Sequence, residues 1–93
     1  MATPRNLIGP QLRQLRNQRG LSQQDLAALF QRRGWDVSRG IIARIEGQVR
    51  WIADFELIFI AQALGKSVED ILSRKGISNE ASKLVRLLQR GID

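Results

Sequence analysis

The sequence predicts an all-α protein: a compact bundle of five helices followed by one extra C-terminal helix. Three observations carry that expectation. Apolar residues recur at three- and four-residue spacing along most of the 93-residue chain, the period of a helix that buries one face. Ser-x-x-Asp pairs and isolated glycines punctuate these segments as starts and stops. The alternation of apolar and polar residues that marks a strand is missing.

The elements follow in order. Ile8, Leu12 and Leu15 fall on one helical face and Pro10 suits a first turn, so the first helix spans about residues 8–19, with Gly20 as its stop. Ser22 caps the second helix, Asp25 sits three residues on, and Leu21 and Leu26 have the spacing of a hydrophobic staple. That helix should bury Leu26, Ala27, Leu29 and Phe30 and end near Arg33, where Gly34 breaks it. Ser38 caps the third helix, which turns Ile42 and Ile45 inward, leaves Arg39, Gly40, Ala43 and Arg44 outside, and ends at Gly47. The fourth runs from about Asp54 to Leu64 with Leu57, Ile58, Ile60 and Ala61 as core, and Gly65 ends it. Ser67 and Asp70 cap a short fifth helix carrying Val68, Ile71 and Leu72. Ser78 should cap a last helix over about residues 79–90, with Ala81, Leu84, Val85 and Leu88 as its stripe. No internal repeat or linker divides the chain, so residues 1–93 form one domain in this reading.

Composition narrows the chemistry. The chain has no His, Cys or Tyr, which leaves no histidine base, thiol nucleophile or Cys/His metal cluster; it reads as a non-enzyme without metal or cofactor. The longest apolar run, Leu57 to Ala61, is too short to span a bilayer, and MATPRNLIGP lacks the pattern of a signal peptide, so a cytoplasmic protein is expected. The net charge is +6, and all of the excess lies in residues 1–50, where nine arginines face Asp25, Asp36 and Glu46. Residues 51–93 are balanced, with six basic and six acidic side chains. A basic half rich in arginine points to a polyanionic partner, because the guanidinium fork matches phosphate and guanine. The same half holds the capped helix pair from Leu21 to Glu46, and a helix presented that way fits a DNA major groove.

The order of motifs is also specific. IGPQLRQLRNQRGLSQQDLA, then VSRGIIARIEGQ, then FELIFIAQALGKSVEDIL resembles the phage-repressor/Cro (Xre-type) helix-turn-helix DNA-binding family over about residues 7–72. The resemblance implies a five-helix repressor-like bundle whose second and third helices read double-stranded DNA. It places Gln23 at the phosphate backbone and sometimes at a base, with Ser38 close to phosphate. The free N–H groups at the second helix's N-terminus make Ser22, besides its capping role, and Gln24 candidates for phosphate as well. Arg39, Gly40 and Arg44 match the positions that read base edges, with Ile41 next to them, and Gln48 and Arg50 match the loop along the backbone. Arg16 and Glu46 match an ion pair joining the first helix to the end of the third.

Three departures from the family pattern stand out. QRRGWD lengthens the connection between the second and third helices, and Trp35 is expected to anchor it. Gly40 supplies no side chain at a contact position; it either loses that contact or lets the backbone approach closely. Ala53 stands where a capping Ser or Thr belongs, at a cost of about 1 kcal/mol. The resemblance implies a small bacterial or phage transcriptional regulator. The last helix, residues 77–93, lies outside the family core; its apolar stripe either packs back on the first and fifth helices or, the reading preferred, forms the contact of a homodimer, at least on DNA. An antitoxin-like module binding a protein partner through that helix, and a non-specific nucleic-acid binder, are the other classes to weigh.

Overall fold

The computed structural model describes residues 3–92, and every regular element among them is helical. They are α1 (Gly9–Gln18), α2 (Gln23–Arg32), α3 (Arg39–Glu46), α4 (Asp54–Ala63), α5 (Val68–Ile71) and α6 (Ile77–Ile92). The caps explain the starts. Ser22 and Asp25 close a reciprocal box at α2, Ser67 and Asp70 do so at α5, and the Ser38 hydroxyl accepts the Ile41 N–H at α3. The Ser22 backbone N–H comes first among the causes that hold the Asp25 carboxyl below its ordinary range; the Ser67 N–H does the same for Asp70.

α3 packs against both α1 and α2, while α4 packs on α2 and α5. Leu12, Leu26, Phe30, Ile42, Ile45, Ile60, Leu64 and Ile71 are fully buried and form the centre of the core. At about 25 cal/mol per Å² of apolar area, each such side chain contributes roughly 1.5–3 kcal/mol of transfer free energy.

The lengthened turn is built around Trp35. Gly34 takes φ +101°, which a side chain would oppose, and the Trp35 N–H bonds the Phe30 carbonyl at 3.0 Å. Trp35 then stacks on Phe30 at 5.6 Å and meets the Phe59 edge at 5.4 Å. Gln31 Nε2 donates to the Val37 carbonyl at 2.6 Å, closing the loop across the insertion. The added residues thus extend the aromatic core rather than hanging off it.

Several expectations need correction. Ile58 is not core: it is 49% exposed, because α4 is apolar nearly all round and its pattern favours no face. Leu29, Leu57, Val68 and Leu72 only flank the core. α3 does end at Gly47, as expected; Gly47 keeps φ −80°, and the next residue, Gln48, takes the left-handed position at φ 62°. The Val49 N–H reaching the Arg44 carbonyl at 3.0 Å closes that turn. The last helix begins at Ile77, two residues early, so Ser78 lies inside its first turn; the Gly76 carbonyl accepts the Glu80 N–H instead. Ala53 has no capping side chain, yet half of the box survives: the Glu56 carboxylate accepts the Ala53 N–H at 3.0 Å.

Candidate nucleic-acid interface

The positions singled out by sequence converge on the two ends of α3 and the N-terminus of α2. Ser38, Arg39, Gly40 and Arg44 are exposed, and Ile41 is half-buried with one side packed on the core. Ser38 uses its hydroxyl on the Ile41 N–H alone, at 3.2 Å. The Arg39 and Gly40 N–H groups, in the first turn of α3, therefore have no acceptor from the chain among the described residues. At α2 the Ser22 hydroxyl takes the Asp25 N–H at 3.0 Å, while Ser22 and Gln24 are exposed. Both helix N-termini thus present free donors and a positive dipole end beside arginines, a setting that favours an anionic oxygen.

A buried carboxylate fixes these two ends together. Glu46, at the end of α3, has a side chain with no exposed surface. Its Oε2 accepts from Arg16 Nε at 2.6 Å, and its Oε1 accepts from Arg16 Nη2 and Gln23 Nε2, both at 3.1 Å. Arg13 Nε lies 3.4 Å from the same Oε1, on a side chain that is more than half exposed. Burial alone would raise the Glu46 carboxyl, but the Arg16, Gln23 and Arg13 donors outweigh it and hold it below the ordinary range. Its bond in turn raises Arg16. Arg16 also donates to the Leu21 carbonyl at 2.7 Å, so one guanidinium joins α1, the entry to α2 and the end of α3. Gln23 is held from below by Glu46, which sets the direction of the side chain at the α2 N-terminus.

The loop after α3 is fastened as well. Gln48 Nε2 donates to the Asn6 carbonyl at 3.0 Å. Arg50 turns back onto its own chain, with a bidentate pair to Glu56 at 3.1 and 3.0 Å and its guanidinium 5.7 Å from the Trp35 ring. Glu56 is consequently held below the usual carboxylate range, by Arg50 above all. The loop, the α4 start and the QRRGWD turn therefore meet at Arg50.

Asn6 escaped the sequence reading. It is buried, its Nδ2 donates to the Ile45 and Arg50 carbonyls at 3.1 and 2.9 Å, and its Oδ1 accepts the Gly9 N–H at 2.8 Å. Its three-residue spacing before Gly9 was the available signal, because Asn is a common acceptor for the first turn of a helix. Trp51 is 57% exposed, beside Leu87 and Leu88 of α6. No helix among the described residues is long and apolar enough to cross a membrane.

No curated protein and no solved structure matches the chain. The helix-turn-helix family model matches residues 12–71, from α1 through α5. The members of this family are DNA-binding regulators and typically not enzymes. The chain therefore belongs to the Xre-type helix-turn-helix family, the family of phage repressors and Cro.

Proposed function

We propose that this protein is a sequence-specific transcriptional regulator of the cytoplasm that reads the major groove of double-stranded DNA with the N-terminal half of α3. One observation supports the reading most: Arg39, Gly40 and Arg44 stand exposed together on the outer side of α3, while Ile42 and Ile45 on its other side are fully buried. Arg39 and Arg44 each offer a bidentate fork to guanine O6 and N7, and Ile41 offers an apolar surface. Ser22, Gln23, Gln24 and Ser38 hold the phosphates at the two helix N-termini. Gln48 and Arg50, tied to Asn6 and Glu56, shape the loop that follows α3.

The working form is a homodimer, with α6 as the contact. Val85 and Leu88 are 62% and 47% exposed on its apolar stripe, whereas Ala81 and Leu84 nearer its start are half-buried. A second copy covering the bare part would generate the two-fold symmetry that a palindromic operator needs. The same bare strip supports a second reading, in which a different protein seats on α6, as in an antitoxin.

Enrichment from random duplex DNA tests the proposal. The expected result is a consensus of two inverted half-sites bound at least about a thousandfold more tightly than random DNA. Binding that falls with salt but shows no sequence preference would replace it with a non-specific binder.

A further inference from the structure

Glycine at position 40 is not explained by the fold. Of the seven glycines from Gly9 to Gly76, Gly20, Gly34, Gly65 and Gly76 have positive φ. A Cβ on Gly9 would sit 2.4 Å from the Ile45 carbonyl oxygen, and one on Gly47 would lie 3.2 Å from the Ala43 oxygen. Backbone therefore crowds both. Gly40 differs. It lies in the first turn of α3 with no positive φ, and a Cβ there would meet only the Ser38 hydroxyl at 3.6 Å, an ordinary contact. Alanine fits, and it is the better helix former. The chain thus holds a weak helix former at an exposed site with no internal reason for it.

We infer that Gly40 is a specificity-determining residue: it forms, with Ile41, an uncharged notch between Arg39 and Arg44 that admits the methyl group of a thymine against the α3 backbone. The inference rests on the DNA-reading role of α3. A side chain at position 40 would stand about 1.5 Å off the backbone and occupy that space. The neighbours suit the ligand. Ile41, the next residue, is half-buried and apolar, so it adds no polar group that needs a partner. Arg39 and Arg44 are exposed on either side and carry the guanine contacts, leaving the uncharged position for a base whose distinguishing feature is a methyl.

The test uses the full chain and its Gly40→Ala variant on the selected consensus, on random DNA, and on a series of consensus duplexes with deoxyuridine in place of each thymine in turn. Gly40→Ala should melt at the same temperature as the parent or higher. It should lose about tenfold in affinity on the consensus, the scale of an overpacked contact, and nothing on random DNA. The parent should lose about fourfold at one thymine when its methyl is removed, and the variant should be indifferent there. A variant that binds the consensus as the parent does, or that weakens equally on random DNA, overturns the inference while leaving α3 as the reader. A parent insensitive to every deoxyuridine overturns the methyl contact. A parent that selects no consensus removes the DNA-reading role itself, and the inference with it.

Discussion

Replacing Glu46 by Gln tests the physical centre of the candidate interface. Glu46 is fully buried and accepts three hydrogen bonds at 3.1 Å or less, two from Arg16 and one from Gln23. Glutamine keeps the shape but substitutes an NH2 group for one acceptor oxygen, so a donor must face a donor. Breaking one side of a buried pair costs about 3–5 kcal/mol when the remaining charge has no other relief. Arg16 retains the Leu21 carbonyl, and 12% of its side chain reaches solvent. The loss should therefore fall at or below the bottom of that range, about 2–3 kcal/mol. For a domain of this size that is a fall in Tm of roughly 10–20 °C at pH 7. The pH dependence supplies a second reading. The folded carboxyl titrates below its ordinary value. Its stabilisation is therefore complete above the unfolded pKa of about 4.3 and is lost as pH falls through the lower folded value. Thermal melts of parent and Glu46→Gln should differ at pH 7 and converge in acid, once the pH has fallen through the lowered folded value. A drop of less than about 3 °C at pH 7, or a gap that persists in acid, would refute the view that the charged Glu46 joins α1, α2 and α3.

Three further outcomes follow. Arg44→Ala should cost about 1–3 kcal/mol on the selected sequence and much less on random DNA, measured by anisotropy titration; an equal loss on both would move Arg44 to a phosphate. Arg50→Ala should lower stability by about 1 kcal/mol in urea melts and leave the salt dependence of DNA binding unchanged. A slope shallower by about 0.9 would mean that Arg50 leaves Glu56 for a phosphate. Val85→Glu with Leu88→Glu should convert a dimer to a monomer in sedimentation without changing Tm; a parent that is monomeric even on DNA would remove α6 as the dimer contact.

Much of the fold was legible because it is written in local rules. Ser22, Ser38 and Ser67 cap the helices expected of them, and Gly34 breaks the chain where it must. What failed was decided by tertiary context. α4 reads DFELIFIAQA, with apolar residues on every side, so only packing could choose Ile60 over Ile58. Gln48 takes the left-handed position after α3, and its side chain donates to the carbonyl of Asn6, 42 residues away, a contact that no local rule signals. The resemblance placed Arg50 in the loop along the DNA backbone. Its partner Glu56 was hidden because the residue it caps, Ala53, carries no capping signal. The candidate interface was legible as a set of positions; the Glu46 hub beneath it needed α1, α2 and α3 in place together.

Methylation interference on the selected duplex tests the central claim most directly. Dimethyl sulfate marks guanine N7 in the major groove and adenine N3 in the minor groove, the two edges that α3 would and would not touch. Guanine N7 methylation should block binding at one or two positions in each half-site, and Arg44→Ala should erase one of those positions. Interference confined to adenine N3, or guanine interference that Arg44→Ala leaves intact at every position, would contradict a major-groove reading by α3.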